Sequence, residues 1–318
     1  MQHRNAAPYA VLGISQLAVG AAAIFARYAL TGADPIAVSA ARLVIASAVL
    51  LGIAAVRGDI KRKRSTPKQR GILMAAGLCL AVHFVGWISS LEYTTVAVST
   101  LLVTTTPIWT ALYDTIFLKR ALSHIGWTAF GAGAIGLLLV VGFAKSPPPI
   151  PGHGVLGAIL ALIGAFAIGA YWILVREVRD QFDTRAIVTR TYSWAALVLL
   201  AAALFAHQSP PPLHDSIAWG GILAMAIISQ LIGHTALNAS LRWFSPNAIS
   251  FATVLEPVIA GILALIIFHE SLNGVAICGG VIVLAAIAVV LSEERRQAER
   301  RTSLKAKPAQ HDMEDSEL

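Results

Sequence analysis

Charge is what this chain has least of. Only 13% of its 318 residues are Asp, Glu, Lys or Arg, against about 25% in an ordinary soluble protein. Hydrophobic residues make up 57%, and the mean hydropathy is +0.71. That composition excludes a large solvated surface, and an integral membrane protein is expected. Cysteine is scarce too. Cys79 and Cys278 both lie inside apolar runs, which argues against a disulfide framework. Several chemical motifs are missing. There is no phosphate-binding glycine loop, no supported Ser-His-Asp set and no metal cluster, and His269-Glu270 lacks the second histidine of a zincin. No segment is long and polar enough for a sizeable soluble domain. The first apolar segment, Tyr9 to Leu30, is too long for a signal-peptide core and lacks a strong basic n-region, so it is read as a first span.

What is present in quantity is apolar sequence in lengths of about 20 residues, enough for a helix to cross the hydrocarbon. Ten such segments are expected: 8–30, 36–56, 71–91, 95–118, 125–144, 154–175, 186–206, 217–241, 247–268 and 275–292. Turn residues separate them, and the Pro-rich link at 146–152 divides the ten into two halves. The net charge of +7 could suggest nucleic acid, but the basic residues sit between the apolar spans. With ten spans and the N-terminus inside, 21 of the 24 Lys and Arg fall on one side, as the positive-inside rule requires of the cytoplasmic face. Arg27 and Lys145 fall on the other side, and Arg42 lies within span two. Both termini are therefore expected in the cytoplasm, with residues 293–318 a charged cytoplasmic tail.

Two prolines carry the most information. Pro107 and Pro257 are 150 residues apart, each inside an apolar run. At that offset Leu91 meets Leu241, Tyr93 meets Trp243, Ile116 meets Ile266 and Leu122 meets Leu272. At an offset of 149, Gly20 meets Gly169 and Arg27 meets Arg176. The chain reads as one unit written twice, over 8–145 and 154–292. Five spans per unit is an odd number, so the two units must insert with opposite orientation. A proline frees the carbonyl four residues back, here that of Val103 or Thr253. Such a break is tolerated in a membrane only beside protein or a wet cavity. Paired interruptions in two inverted halves point to a binding site near the midplane, with Pro107 and Pro257 shaping the helices that line it.

Helical spacing selects candidate site residues. Cys79, His83, Trp87 and Ser90 share one face of span three, and Gln230, His234 and Asn238 share one face of span eight. Span four adds Thr104, Thr105, Thr106, Trp109, Thr110 and Tyr113, and span six adds Tyr171 and Trp172. Substrate contact is expected from His83, Trp87, Trp109, Tyr113, Trp172, Gln230, His234 and Asn238. Structural roles compete. A buried histidine can simply bond a neighbouring helix, and Thr104 to Thr106 can cap the carbonyls that Pro107 frees. Tyr93, Trp127, Trp219 and Trp243, at span ends, suit interfacial anchoring. Glu256, next to Pro257, is an intramembrane carboxylate, functional by default as a cation partner or proton carrier; its alternative is a protonated acid that steadies the kink. Arg42 either pairs with a carboxylate or is a packing-face charge.

The segment from Leu91 to Leu122, through Thr106-Pro107 to Phe117-Leu118-Lys119-Arg120-Ala121-Leu122, resembles the EamA repeat of the drug/metabolite transporter superfamily. Leu255-Glu256-Pro257 through Phe268-His269-Glu270-Ser271-Leu272 resembles it more closely, and Ala41-Arg42-Leu43, at the start of span two, looks like the family's first repeat. The glutamate common before the final small-Leu pair is kept as Glu270 but is Arg120 in the first copy. The resemblance covers about residues 8–292. It implies an all-α fold of ten spans in two inverted repeats, and secondary transport, commonly export, across the bacterial inner membrane. The chain looks most like the YddG-type aromatic amino-acid exporters, with other metabolite or multidrug exporters of the same fold as the alternative. An intramembrane enzyme or a sensor is a more distant one. The expected partners are a small-molecule substrate and membrane lipid. No enzyme activity, cofactor, metal or nucleic acid is expected, and the chain is expected to act as a monomer.

Overall fold

The computed structural model describes residues 7–58, 65–118, 124–142, 150–244, 249, 252–253, 255–270 and 273–305. Those residues are helical and connecting, with no strand among them. Span one is split into α1 (Ala7–Gly20) and α2 (Ala22–Ala29). Spans two and three are α3 (Pro35–Val56) and α4 (Pro67–Tyr93). Span four is split into α5 (Val96–Val103) and α6 (Thr106–Leu118), and span five is α7 (His124–Gly142). Spans six and seven are α8 (Gly154–Val178) and α9 (Thr184–Phe205). Span eight is composite: α10 (Ser216–Ala224), a π-helical segment Met225–His234, then α11 (Thr235–Ser240). Spans nine and ten are α12 (Leu255–Phe268) and α13 (Gly274–Lys305), the last running past residue 292 into the tail.

Six of these spans are long and apolar enough to cross a membrane: Ala7–Ala29, Pro35–Val56, Pro67–Tyr93, Gly154–Val178, Thr184–Phe205 and Ser216–Ser240. Four shorter apolar helices, Val96–Thr110, His124–Val140, Leu255–Phe268 and Gly274–Ala286, complete the ten. About half of each long span is buried inside the bundle. The other half presents residues such as Leu17, Leu78, Ile159 and Leu197 outward. An outer belt of large aliphatic side chains suits hydrocarbon and not water. The protein is a multi-pass membrane protein. The motif residues Lys119 to Leu122 and Ser271-Leu272, the link at 146–149, basic residues 61–64 and tail residues 306–318 lie outside the described residues.

Local sequence explains most helix starts. Pro35 and Pro67 occupy first turns, where the missing donor costs nothing. Thr66 and Gln69 form a reciprocal capping box, at 3.2 Å and 2.8 Å. Asp183 and Asp215 accept the amides of Ala186 and Ala218 at 2.7 Å and 3.0 Å.

The two inverted halves pack as an exchange. Span three packs chiefly on span six, and its repeat-equivalent contact is span eight on span one. Spans two and seven, four and nine, and five and ten pair with each other. Each of those pairs maps onto itself when the halves are swapped, which places them along the pseudo-two-fold axis. Small residues set the closest approaches. A Cβ at Gly86 would lie 2.8 Å from the Leu160 carbonyl oxygen, and one at Gly164 3.2 Å from the His83 carbonyl oxygen. The span three–span six crossing thus needs two bare backbones, the small-residue packing common between membrane helices.

The prolines act differently from kinks in continuous helices. The first helix of span four ends at Val103 and a new one starts at Thr106, so Pro107 sits in a first turn. The carbonyls left at the break are taken by hydroxyls three residues on. Thr104, Thr105 and Thr106 donate to Leu101, Leu102 and Val103 at 2.9, 2.7 and 2.8 Å. Pro257 likewise lies in the first turn of α12. Both prolines therefore lie in first helical turns, and at Pro107 the neighbouring hydroxyls satisfy the break.

Candidate functional site

The breaks converge on one cavity. It is a partly open, mostly apolar space lined by residues of both halves. The first half contributes the break of span one (Val19, Gly20, Ala22), His83 and Trp87 from α4, and Thr100, Val103, Thr104 and Thr106 around the break of span four. The second half contributes Ile168 and Trp172 from α8, His234 and Leu237 from span eight, and Thr253 and Glu256 at the start of α12. Both repeats therefore build the wall, from the continuous helices α4 and α8 and from the interrupted spans one, four and eight and the start of α12.

Aromatic faces and imidazoles dominate the polar part of that wall. His83 and Trp87 stack with their planes 7° apart and centroids at 6.3 Å. His234 approaches His83 edge-on at 6.3 Å. The Nδ1 of His83 lies 2.9 Å from the Gly164 carbonyl oxygen. A carbonyl can only accept, so Nδ1 carries the proton and Nε2 is the ring's remaining polar atom. Trp172 stands against Tyr171 at 5.1 Å. Glu256 is the one carboxylate on this wall. Among the described residues it has no ion-pair partner, and it occupies the first turn of α12, where the helix dipole favours negative charge.

Four residues expected at the site point elsewhere. The Trp109 Nε1 donates to Thr105 Oγ1 at 3.2 Å, and its ring meets Phe166 edge-on at 5.5 Å. The Tyr113 hydroxyl reaches the Phe166 carbonyl at 3.3 Å, on the α6–α8 flank. Gln230 accepts from Arg42 at 2.7 Å, and Asn238 accepts from the Tyr171 hydroxyl at 2.9 Å. The middle of span eight is π-helical, with the Thr235 amide bonding the Gln230 carbonyl, an i→i+5 link. Within it Gln230 is taken up by Arg42, and one turn beyond it Asn238 is taken up by Tyr171, so of the three only His234 reaches the cavity wall. Cys79 and Ser90 of span three also point elsewhere: Cys79 packs on the core, and the Ser90 hydroxyl meets that of Ser99 at 2.6 Å.

Other lining residues were not singled out by sequence, although small signals exist. Thr100 lies one helical turn before Thr104. Thr253 is the residue four before Pro257. Gly20 and Ala22 flank a proline-free break in span one. There the Ser229 hydroxyl, from the π segment, donates to the Ala18 carbonyl at 2.9 Å. An inserted hydroxyl of this kind is a recognised cause of a helix break.

The two ends of the bundle differ. At one end Arg27 bonds the Leu91 carbonyl and the Glu270 carboxylate, both at 3.4 Å. Glu270 also accepts the Val96 amide at 2.8 Å, and Phe268 lies under the guanidinium at 5.4 Å. Burial pushes the Glu270 carboxyl above its usual range, against the opposing pull of Arg27 and of the Val96 and Ala97 amides. At the other end Arg179 bonds the carbonyl of Leu241, the repeat equivalent of Leu91, at 3.1 Å. That end holds a second cavity of about 470 Å³, bordered by Arg179, Asp180, Asn238 and Arg242.

Comparisons with known proteins agree with this architecture. A solved crystal structure superposes with a TM-score of 0.65 over 92% of this chain and 99% of its own; at 15% identity this likeness shows the fold. An uncharacterized transporter of Archaeoglobus fulgidus is 18% identical over 92% of this chain and all of its own length. The uncharacterized inner membrane transporter YedA of Escherichia coli (strain K12) is 23% identical over 81% of this chain and 82% of its own. The profile of the EamA-like transporter family matches twice, at residues 8–142 and 155–292, and the chain belongs to that family.

Proposed function

We propose that this protein is a secondary transporter that exports amino acids, aromatic ones foremost, or similar small metabolites across the bacterial inner membrane by alternating access. One observation carries the reading. The cavity shared by both halves combines the faces of Trp87 and Trp172 with a carboxylate, Glu256, that no cation of the described chain neutralises. Aromatic faces take an apolar ring or a cation, and a carboxylate takes an ammonium. An amino acid with an aromatic side chain offers both groups. Glu256 is also the group placed to carry a coupling proton.

The packing supports a division of labour. The unbroken pair α4 and α8, closed at Gly86 and Gly164, forms the frame. Span one and span eight, both interrupted beside the cavity, move against it. The positive-inside count assigns the Arg179 end to the cytoplasm and the Arg27–Glu270 end to the outside, so loading occurs from the cytoplasm.

Purified protein in liposomes, with and without a pH gradient and with a panel of labelled amino acids, tests this reading. Saturable movement of aromatic amino acids is expected, reduced in Trp172→Ala. Movement of a cationic dye with no amino acid moving favours a multidrug exporter, which Glu256 and the aromatic wall equally suit. A chemically altered substrate would mean an enzyme, and saturable binding without flux a sensor. Flux indifferent to the gradient removes Glu256 as a proton carrier.

A further inference from the structure

Among the described residues Arg42 is the largest fully buried side chain, and none of its contacts there is a carboxylate. One terminal nitrogen donates to Gln230 Oε1 at 2.7 Å, and the other lies 3.9 Å from the Met225 sulfur. Its guanidinium carbon stands 4.0 Å from the centroid of the Phe84 ring and 6.0 Å from that of Trp87. Its Nε has no partner, nor do Gln230 Nε2 and Trp87 Nε1, all three buried. The neighbourhood therefore holds these donors and the buried Tyr192 hydroxyl around a fixed positive charge and, among the described residues, no acceptor of full negative charge. In a membrane interior such a cation is costly unless paired, and by default it is functional.

The position of the cluster matters as much as its charge. Trp87 and His234 line the cavity. Trp87 also faces Arg42, and Phe84, the other ring on Arg42, meets His234 edge-on at 5.4 Å. Trp87 thus borders both the guanidinium and the cavity, and Phe84 links the guanidinium to the cavity histidine. Met225, Gln230 and His234 all belong to the π segment, so a single piece of span eight holds both the Arg42 contacts and the cavity histidine.

We propose that Arg42, with the amide of Gln230 and the indole N–H of Trp87, forms an anion subsite that receives the carboxylate of the transported molecule. A guanidinium and two neutral donors suit a planar carboxylate, which accepts two or more charge-assisted hydrogen bonds. Glu256 on the opposite repeat supplies the complementary sign, so the cavity is built for a zwitterion or an organic acid and disfavours a simple cation. The subsite rests on the proposed aromatic cavity, and its test separates the two.

Thermal-shift titrations of the full-length protein in detergent, with benzoate and benzamide as probes, read both. The two molecules share a ring and differ in the charge of one group. Wild type is expected to bind benzoate about tenfold more tightly, the equivalent of about 1.4 kcal/mol. Arg42→Gln should bring benzoate down to benzamide, and Arg42→Lys should keep part of the preference. Trp172→Ala should weaken both probes and leave their ratio in place. Equal binding of the two probes by wild type overturns the subsite while leaving the aromatic cavity intact, and this comparison decides even if Arg42→Gln fails to fold. A preference that survives in Arg42→Gln overturns it as well. Failure of wild type to bind either probe overturns the aromatic cavity and the subsite together.

Discussion

Spans three and six form one packed pair, and spans one and eight form its repeat equivalent. They are built from corresponding sequence and differ in build. The first pair is two unbroken helices whose backbones touch at Gly86 and Gly164. In the second pair span one breaks at Ala21 and span eight widens into a π segment. The second pair also closes backbone to backbone at Gly221, where an added Cβ would lie 2.5 Å from the Phe25 carbonyl oxygen, but at Gly233 the nearest neighbour is the Val19 side chain, at 2.7 Å. Duplication supplied two scaffolds. One keeps regular helices throughout, and the other holds the irregular backbone, the Gln230 partner of Arg42 and one wall of the cavity. Irregular backbone is tolerated at membrane depth only beside protein or a cavity, and here it is beside both.

The contrast can be broken from the rigid side first. Gly86→Leu forces a side chain into the Leu160 carbonyl and should lower stability by roughly 3 kcal/mol or more. Gly233→Leu meets the Val19 side chain, stiff but not backbone, and should cost less, roughly 1–3 kcal/mol. Thermal unfolding of the two variants checks the ordering, and equal losses would erase the distinction. Deleting Ile227 removes one residue from the π segment and should restore an α-helical turn, taking Gln230 away from Arg42. Loss of a hydrogen bond to a charged group predicts about 2 kcal/mol, together with loss of flux in liposomes. Retained flux would show that the widened turn is dispensable.

The Arg27–Glu270 contact fastens the two pairs together, because Arg27 on span one also holds the end of span three at Leu91. Its pH dependence has a definite sign. The Glu270 carboxyl is raised by burial in the closed end, whereas in an end opened to water it returns to the ordinary value, near 4.3. The closed end therefore binds the proton more tightly. Closure is strengthened as pH falls through the raised value, and that gain is complete below the ordinary one. Labelling of a cysteine introduced at Thr31 should slow on mild acidification, and Glu270→Gln should make the rate independent of pH. Faster labelling at low pH would reverse the sign. The smallest effect is expected at the break of span four. Thr106→Ala frees the Val103 carbonyl and should cost about 1 kcal/mol, leaving substrate selectivity unchanged.

The fold was largely legible in the sequence, because membrane spans announce themselves by length and the two halves share landmarks at a constant offset. The Thr-Thr-Thr-Pro break was legible for the same reason: proline needs its carbonyl satisfied, and the hydroxyls beside it do so. The site was legible only in part. His83, Trp87, Trp172, His234 and Glu256 come together on the cavity wall, whereas Trp109, Tyr113, Gln230 and Asn238 point away. For Gln230 and Asn238 the cause is a partner on another span, Arg42 and Tyr171, and the π segment Met225–His234 is signalled by no residue type. For Trp109 and Tyr113 it is Phe166, a partner 57 and 53 residues further along the chain. The Arg42–Gln230 bond spans 188 residues, and only the oddity of a charge inside span two hinted at it.

The most direct test of this division of labour is a pair of distances measured by pulsed EPR in liposomes. One spin-label pair joins the lipid-facing residues Leu17 and Ile232 on spans one and eight. The other joins Leu78 and Ile163 on spans three and six. With saturating phenylalanine the first distance is predicted to shift or broaden and the second to stay as it was. A fixed span one–span eight distance while flux proceeds, or a moving span three–span six distance, would contradict it.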